Sequence, residues 1–472
     1  MAIPEALANQ LAVLNAELDA RTRRHEKVEP YFEACDGRSP IPNVVRTARL
    51  EHSYRTLMSM SEAPWGKVIV NSKLDRLEVT GIESEDEAAD KAVWGWWQDE
   101  AMDLESKLAH SSSLLDGRAH ALVWPRVKGA RRGIPQVSLD DVTQMVVQYE
   151  EGSRRDRAAA LRRWTDGQTV YCTLYLPDVI HKFQRPKNYH AGWFRAGESL
   201  NNPLGVVPVV ELAVNRRLKP GSFAHARGEF EDVTGLMDRI NLLTFLGLVV
   251  AIWMGFPLRG VIGDIIEKDA DGRAVPPFES RPDSVVQFEN PDAKLVEFKA
   301  ADRGNLSIFR ELNELAAATS TPRHYFPMDG GIANVSEPTI RAFEGGMHAT
   351  VNASHKPSLG EGWEEVMRLG GMMLPDAVEL GPRAATQWAD HESRSLGERA
   401  DAYQKLAGGD SGLPWQAAAE LALNLGQDAI ARYEASESGS VFGQLLREAQ
   451  KPVERAPEVP VAASNGSSPV TE

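Results

Sequence analysis

The sequence is poor in cysteine and has no feature of a secreted protein. Its 472 residues include two cysteines, Cys35 and Cys172, which stand far apart and outside any Cys-x-x-Cys pair, so we expect neither a disulfide framework nor a zinc site. The first residues, Met1 to Glu5, provide neither the basic nor the apolar region of a secretory signal. The apolar and charged fractions, 42% and 25%, indicate a globular chain long enough for a large core and two or more domains.

Complete enzyme motifs are also missing from the sequence. It contains no Gly-x-x-x-x-Gly-Lys-Ser/Thr phosphate loop, which excludes a P-loop ATPase. His25-Glu26 and His391-Glu392 begin a zinc-protease motif, but Glu29 and Ser395 occupy the place of the second histidine. We therefore expect a protein that is not an enzyme and that needs no metal ion or cofactor. An unrecognised enzyme stays open as an alternative class.

Positive charge is scarce for a protein that would grip nucleic acid. The net charge is −15, whereas nucleic-acid binders usually carry a basic face. Arg21-Thr22-Arg23-Arg24, Arg131-Arg132 and Arg154-Arg155 could touch phosphate, but such clusters are more often solvated faces or intersubunit ion pairs. An acidic balance of this size can serve solubility alone.

The first half of the sequence alternates helical and strand patterns. Apolar residues at helical spacing predict a helix from Leu7 to Arg24, which Pro30 should close. Ser84-Glu85-Asp86-Glu87 is an acidic helix start, and that helix should run to Gly117. Short runs with strand character follow, and together these patterns predict an α+β fold. The runs are Ala119 to Val127, Val142 to Tyr149, Ala159 to Trp164, Thr169 to Leu176 and Val179 to Phe183.

An uncharged segment, Ile240 to Leu258, dominates the middle of the sequence. About 20 apolar residues are enough to cross a bilayer, so a peripheral membrane-associated assembly protein is a genuine alternative. Asp232, Asp238 and Arg239 continue the same helical pattern upstream, and no lysine-rich flank or second span accompanies it. We favour a helix buried between neighbouring copies of the chain, where it can be apolar nearly all round. Gly255-Phe256-Pro257 should end it.

The second half is predicted to be mainly helical, with one strand-containing insert after Arg259. The insert holds two strand-like runs, Ser284 to Phe288 and Lys294 to Phe298. A helix from Asp302 to Ser320 comes next, and a long helix from Pro338 to Leu374 follows. Glycine and proline should kink the long helix at three places, which are Gly345-Gly346, Pro357 and Gly360.

The end of the sequence changes from helical patterns to a composition that cannot pack. Helices are predicted at Ser395 to Leu406, Pro414 to Leu425, Asp428 to Tyr433 and Val441 to Ala449. From Lys451 the chain is rich in Pro, Glu, Ser, Gly and Val, so we expect a disordered tail.

The middle of the chain joins Glu229 to Phe256, Val285 to Phe298 and Phe309 to Thr321 in the order helix, insert, helix. This order resembles the stem, clip and stem of a tailed-bacteriophage portal protein, the ring through which viral DNA enters and leaves the capsid. Short matches in the family's order extend the resemblance over most of the chain. They are Tyr31 to Gly37, Trp65 to Asn71, Leu77 to Gly81, Ala119 to Trp124, Leu174 to Asp178, Gly205 to Val210, Gly362 to Leu369 and Arg399 to Leu406.

The resemblance implies a portal fold with a wing, two stem helices, a clip, a tunnel loop, a long kinked helix and a helical crown. The implied segments are 1–228 for the N-terminal helix and α+β wing, 229–258 and 301–321 for the stem helices, 259–300 for the clip, 322–337 for the tunnel loop, 338–375 for the long kinked helix, 376–450 for the crown and 451–472 for the disordered tail.

The resemblance also implies where the chain meets DNA and its partners. The tunnel loop lies at the narrowest point of the channel, and its predicted DNA-facing residues are Asp329, Gly330, Gly331, Ile332, Ala333, Asn334, Val335 and Ser336. The predicted partner contacts of the clip are Glu267, Asp269 and Asp271. The predicted subunit interface on the apolar helix consists of Leu242, Phe245, Leu248, Val249 and Ile252.

The partners implied by the resemblance are those of a capsid-vertex ring. About twelve copies would form the ring, which would meet the major capsid or scaffolding protein. The clip would dock the large terminase and later the head-tail adaptor, and double-stranded DNA would pass through without sequence specificity. An acidic wall would repel the sliding duplex and keep friction low. We expect the protein in the virion, in the host cytoplasm during assembly, and not in a membrane.

Overall fold

The computed structural model of the protein describes residues 3–33, 56–129, 131–188, 192–255, 258–262, 267–268, 271, 274–275, 294–298, 308–327, 337–389, 396–408, 412–423 and 430. The chain divides into two compact units, Met1–Ala389 and Asp390–Glu472. The first unit contains helices and strands in the mixture that the α+β prediction requires.

The helices of the first unit supply most of its large buried side chains. In order along the chain they are α1 (Glu5–Glu33), α2 (Trp65–Leu74), α3 (Glu87–Asp99), α4 (Met102–Asp116), α5 (Thr234–Gly255), α6 (Ile308–Ala318), α7 (Glu337–Thr350) and α8 (Lys356–Met373). Residues 56–61 are also helical.

Antiparallel sheets make up the rest of the first unit. The largest runs β4 (Met145–Tyr149), β5 (Arg157–Asp166), β6 (Thr169–Tyr175), β7 (Val179–Pro186) and β8 (Phe194–Arg195), and β9 (Leu200–Asn201) also pairs with β7. A second sheet has the order β10 (Val209–Ala213), β2 (Arg118–Pro125), β3 (Pro135–Asp140). Shorter pairs join β1 (Val79–Glu83) to β15 (Ala385–Trp388), β11 (Leu258–Ile262) to β14 (Lys294–Phe298), and β12 (Glu267–Lys268) to β13 (Ala274–Val275).

The two faces of the largest sheet bury different clusters. Because side chains alternate along a strand, Leu161 and Cys172 point to one face and pack against Leu14 of α1. Ala160 points to the other face and packs in a cluster with Val209 of β10. The sheet is therefore held between α1 and the second sheet.

Tryptophans mark the main core, which lies between α3, α4 and α8. Trp97 and Trp363 are fully buried and meet edge to face, with ring centroids 5.1 Å apart. Small residues let the helices approach, since a Cβ at Gly370 would overlap the ring of Trp96. This core uses side chains far apart in the sequence, so its stability depends on correct packing of α8 on α3.

Two helix boundaries differ from the sequence-based predictions. The helix predicted to stop before Pro30 continues through it to Glu33, where Tyr31 is buried against the core. The helix predicted to run without interruption to Gly117 is divided into α3 and α4 by Ala101, whose φ of 56° is left-handed. Tertiary packing overrides the local signal in the first case, and in the second the sequence carries no glycine to mark the break.

The strand predictions agree well with the structure where residues are described. β5, β6 and β7 overlap the predicted runs, and β14 coincides with the predicted strand at Lys294 to Phe298. The other predicted strand of the insert, Ser284 to Phe288, lies outside the described residues. Leu258 to Ile262 was not predicted as a strand, yet it is the antiparallel partner of β14.

The long helix contains one π-helical turn, Val351–His355, between α7 and α8. The kinks predicted at Gly345-Gly346, Pro357 and Gly360 stay predictions. Pro357 closely follows this turn, and because the chain is helical on both sides, its ring leaves one carbonyl of the preceding turn without a backbone donor. A π turn inserts one extra residue per turn and is a recognised cause of helix bending.

The second unit contains two helices among its described residues. They are α9 (Leu396–Ala407) and α10 (Trp415–Leu423), and both match predicted helices within two residues. Tyr403, Ala418, Ala419 and Ala422 form their shared apolar cluster. The predicted helices at Asp428 to Tyr433 and Val441 to Ala449, and the predicted tail from Lys451, lie outside the described residues except for position 430.

Candidate subunit interface

The apolar helix α5 changes from buried to exposed along its length. Near its start, Met237 and Ile240 are at most 1% exposed. Towards its end, Leu246 and Ile252 are 36% and 38% exposed, and Met254 is 65% exposed. Apolar side chains left exposed along one segment of a helix are typical of a surface that another molecule covers.

The buried half of α5 is fixed by α6 and by α1. Met237 and Ile240 share a cluster with Leu312 and Leu315 of α6. Arg239 donates to Glu314 at 3.0 Å and also pairs with Glu311. The first half of the helix is therefore a part of the subunit core.

A hydrogen bond joins the start of α5 to the end of α1. Tyr31 donates its hydroxyl to Asp238 Oδ1 at 2.9 Å. Burial and the neighbouring carboxylate raise the pKa of the Tyr31 hydroxyl far above its usual range, and burial raises the pKa of Asp238. The phenol therefore stays a donor at every physiological pH.

The five predicted interface residues occupy different environments. Ile252 is exposed, whereas Phe245 is 2% exposed and packs in a cluster with Met58 of the helical residues 56–61. Leu242 and Val249 are partly buried beside that cluster, and Leu248 is also partly buried. Phe245 thus contributes to the fold of its own subunit, while the exposed surface extends to Leu246 and Met254, which the sequence-based prediction omitted.

By length and composition alone, the helical stretch Glu231–Ile252 could cross a membrane. Its mean hydropathy is 1.7, and 22% of the apolar stretch is buried inside the subunit. A single span of this kind is weak evidence, because core helices of soluble proteins meet the same criteria. Its ion pairs to α6 and its hydrogen bond to Tyr31 are features of a helix packed in protein.

A buried carboxylate anchors the segment that leads into α5. Glu229 Oε2 lies 2.5 Å from Lys73 Nζ of α2, and Glu229 Oε1 lies 2.7 Å from His355 Nε2 in the π turn. Asn215 Nδ2 donates to the same Oε1 at 2.6 Å, and Lys73 also donates to the Thr319 carbonyl at 2.8 Å. One carboxylate therefore links α2, the entry to α5, the residues after α6 and the long helix.

The charge state of Glu229 follows from these contacts. Burial alone would raise its pKa, but the hydrogen bond to His355 and the positive charge of Lys73 outweigh burial and lower the pKa to about 2. Glu229 is thus ionised at neutral pH. The sequence-based predictions missed this cluster, because Lys73, Glu229 and His355 are separated by long stretches and no local motif marks them.

A second buried carboxylate joins α1 to the second sheet. Glu211 Oε2 of β10 lies 3.2 Å from Arg118 of β2 and 3.3 Å from Arg21 of α1, with His120 Nε2 at 3.6 Å. Burial would raise the pKa of Glu211, but Arg118, His120 and Arg21 together lower it well below its usual range. Arg21 belonged to a cluster that could have touched phosphate, and the structure instead places its guanidinium in an intramolecular ion pair.

The predicted tunnel-loop and clip contacts fall largely outside the described residues. None of Asp329 to Ser336 is described, and neither is Asp269. Glu267 begins β12, and Asp271 is an exposed turn residue. In the described part of the chain, no group of three or more His, Cys, Asp or Glu side chains could hold a metal ion.

Comparison with known proteins gives one family over most of the chain. The family model described as "Phage portal protein, SPP1 Gp6-like" matches residues 16–434. A relative from Mycobacterium phage D29, named "Portal protein", is 25% identical over 374 residues, which are 75% of this chain and 74% of the relative. A relative of the same name from Mycobacterium phage L5 is 26% identical over 374 residues, with the same coverage of 75% and 74%.

Comparison with solved structures gives chains of gene transfer agent (GTA) particles. A chain from the "Neck of empty GTA particle computed with C6 symmetry" has a TM-score of 0.42 and 9% identity, covering 81% of this chain and 94% of that chain. A chain from the "Neck of native GTA particle computed with C12 symmetry" has a TM-score of 0.40 and 12% identity, covering 84% of this chain and 97% of that chain.

Proposed function

This chain belongs to the phage portal protein family described as SPP1 Gp6-like, and from that membership we propose that it forms the ring at the capsid vertex through which DNA is packaged and ejected. The family match over residues 16–434 is the observation that supports the proposal most strongly. The protein acts as a structural channel and not as an enzyme.

The test of this proposal is the assembly state of the purified protein. Electron-microscope class averages should show closed rings with a central hole, of about twelve subunits. A protein that stays a well-behaved monomer at high concentration, and that floats with lipid vesicles, would contradict the proposal and favour the peripheral membrane alternative. Nothing in the comparisons supports that alternative.

The exposed half of α5 is the proposed contact between neighbouring subunits. Leu246, Ile252 and Met254 present apolar surface that a lone subunit leaves in water. Covering this surface in a ring stabilises the assembly by the hydrophobic effect. Leu248 and Val249, which are partly buried, lie on the same stretch of helix.

The tunnel loop is the proposed contact with DNA. Its support is the family's segment order, in which Asp329 to Ser336 precede the long helix. Gly330-Gly331 supplies flexibility, and Ile332, Ala333 and Asn334 offer a surface that can touch a duplex without gripping its phosphates.

Rings assembled from Ala333→Lys subunits test this assignment of the tunnel loop. A lysine there should add salt-sensitive retention of DNA and slow packaging, because it places a ring of positive charge against the phosphates. Packaging velocity is measured across a salt series for Ala333→Lys and for an Ala333→Gln control. Equal velocities for both variants at low salt would remove this loop from the channel wall.

The clip is the proposed docking site for the large terminase and then for the head-tail adaptor. Its acidic candidates are Glu267, Asp269 and Asp271. Replacing all three by the corresponding amides should leave ring formation intact and weaken terminase docking, since complementary charges mainly affect partner association. Full packaging and full tail joining by the triple variant would exclude these residues from the contact. The capsid or scaffolding protein and the DNA duplex complete the proposed set of partners.

A further inference from the structure

A wide groove opens between two loops of the first unit. It has a volume of about 1020 Å³ and lies between the loop after β4 and the loop after β10. Its lining includes Tyr149 at the end of β4, Arg154 from the first loop, and Arg216, Leu218 and Lys219 from the second. A hydrogen bond from the Tyr149 backbone N–H to the Ser222 carbonyl, 2.7 Å long, holds the two loops together.

The groove carries unpaired positive charge beside an exposed leucine. Arg154, Arg216 and Lys219 are exposed and have no ion-pair partner within the described residues. Leu218 lies between two basic residues of the sequence and is 78% exposed. The other arginines of the lining are already paired, Arg155 with Glu361 at 2.7 Å and Arg217 with Asp232 at 2.8 Å.

A surface of opposite character lies at the start of α4. Leu104 is 65% exposed and has a carboxylate on either side of it in the sequence, Asp103 and Glu105. Asp99, at the end of α3, adds a third carboxylate close by, and of the three Asp99 and Asp103 are exposed while Glu105 is half-buried. This surface therefore places an exposed leucine among carboxylates, with the Arg131 guanidinium donating to the Asp99 carbonyl at 3.0 Å along its edge.

Strand β2 separates these two surfaces. At its first residue, Arg118 donates to the carbonyl of Ala224, which lines the groove, at 2.8 Å. Just beyond its last residue, Arg126 donates to Glu100 Oε1 at 2.7 Å, between Asp99 and the start of α4. Eight residues of extended chain span roughly 25 Å, so the two surfaces lie near opposite ends of one strand.

We propose that the groove receives the acidic Leu104 surface of a second copy of this chain. The inference rests on the proposed ring, because a contact between two different surfaces repeats head to tail and closes only by forming a ring. Leu104 of one copy meets Leu218 of the next, while Asp99 and Glu105 meet Arg216 and Lys219. The contact sets the neighbour's orientation, in addition to the apolar contact made by α5.

Duplex DNA fits the groove less well than a protein surface does. The exposed Leu218 in its lining calls for an apolar partner group, which the phosphate backbone lacks.

Charge reversal and charge exchange test the proposal. R216E/K219E reverses the groove, and D99K/E105K reverses the other surface while leaving Asp103 to accept its hydrogen bond from Trp97 Nε1. Each double variant should raise the subunit concentration at half assembly by roughly tenfold or more. The combined quadruple variant should assemble much better than either double variant, since every pair is restored with its charges exchanged. Native mass spectrometry and sedimentation velocity across a salt series provide the measurement.

K182E/K187E is the matched control, because it makes the same charge change at exposed positions of β7 and the residue after it. It should assemble as the wild type does. Wild-type behaviour of both double variants at low salt, or a quadruple variant no better than the double variants, would overturn the proposed contact. If the wild-type protein still forms rings in either case, the portal assignment stands. If the wild-type protein forms no rings, the portal assignment itself is contradicted.

Discussion

Lys73 Nζ lies 2.5 Å from Glu229 Oε2, and their side chains are 0% and 5% exposed. The pair connects α2 to the segment that enters the apolar helix α5, and His355 extends it to the π turn of the long helix. A buried ion pair contributes little net stability when it is complete, but the loss of one partner leaves the other charge uncompensated. The contact therefore makes three distant segments dependent on one another.

Replacing Lys73 by methionine should destabilise the subunit strongly. Lys73→Met leaves the Glu229 carboxylate buried with only hydrogen-bond donors, and we expect a loss of about 3 to 5 kcal/mol in the free energy of unfolding. Urea unfolding followed by circular dichroism measures it. Lys67→Met, at an exposed position of the same helix, is the control and should change the free energy by less than about 1 kcal/mol.

The double variant separates the ion pair from simple packing loss. K73M/E229Q removes both charges, so its loss should be smaller than the sum of the two single losses. Additive losses would show that the two side chains act independently, against the arrangement seen in the structure.

The close packing of α8 on α3 gives a second prediction. Gly370→Ala would press a methyl group into the ring of Trp96, and overpacking of this kind costs about 1 to 3 kcal/mol. Gly346→Ala in α7 is the matched change, because nothing lies within 4 Å of the added Cβ. The second variant should gain up to about 1 kcal/mol from helix propensity. Thermal unfolding of both variants checks the opposite signs.

Residue patterns in the sequence predicted the strands and helix ends that depend on neighbouring residues alone. The strand-like runs Ala159 to Trp164 and Thr169 to Leu176 place β5 and β6 correctly, and the two strands pair as a hairpin across Asp166-Gly167. The helix α5 ends at Gly255, as the following proline required. The division of its surface into a buried and an exposed half was not predictable, because its apolar residues surround the helix and only contacts from α6 and residues 56–61 choose a face.

Long-range contacts account for what the sequence did not reveal. Tyr31 carries α1 beyond Pro30 because its ring is buried and its hydroxyl reaches Asp238, more than two hundred residues away. The π turn ends at His355, whose imidazole contacts Glu229. Neither partner is marked by spacing, so periodicity alone gives no signal for them.

The pH dependence of stability should reflect His110, which is fully buried. Its Nε2 accepts a hydrogen bond from Trp363 Nε1 at 2.8 Å, and its Nδ1 lies 3.2 Å from the Leu77 carbonyl, so the ring is neutral with the proton on Nδ1. Burial lowers the pKa of His110 to about 4. Between about pH 6.5 and pH 4 the unfolded chain binds a proton that the folded chain does not, so stability falls as the pH falls through this window.

His110→Gln isolates this contribution. The variant loses stability at pH 7 because glutamine fits the two hydrogen bonds less well, but it has no proton to take up on unfolding. Its deficit relative to the wild type should therefore shrink by up to about 3 kcal/mol between pH 7 and pH 4. Urea unfolding at four pH values measures the deficit, and a deficit that stays constant would contradict a neutral buried imidazole.

The two halves of α5 should respond differently to mutation, because only one half is covered by its own subunit. Ile252→Glu, at a 38% exposed position, should leave the circular dichroism spectrum unchanged and abolish rings by placing an unpaired charge between subunits. Phe245→Ala, at a 2% exposed position, should instead lower the free energy of unfolding by about 3 to 5 kcal/mol. Val13→Glu introduces the same glutamate at a 49% exposed position of α1 and should affect neither ring formation nor the free energy of unfolding.

Electron microscopy of the three variants measures ring formation, and urea unfolding measures their stability. If Ile252→Glu still forms intact rings, the subunit contact lies elsewhere. If the wild type binds lipid vesicles and Ile252→Glu does not, this surface meets lipid instead of a neighbouring subunit.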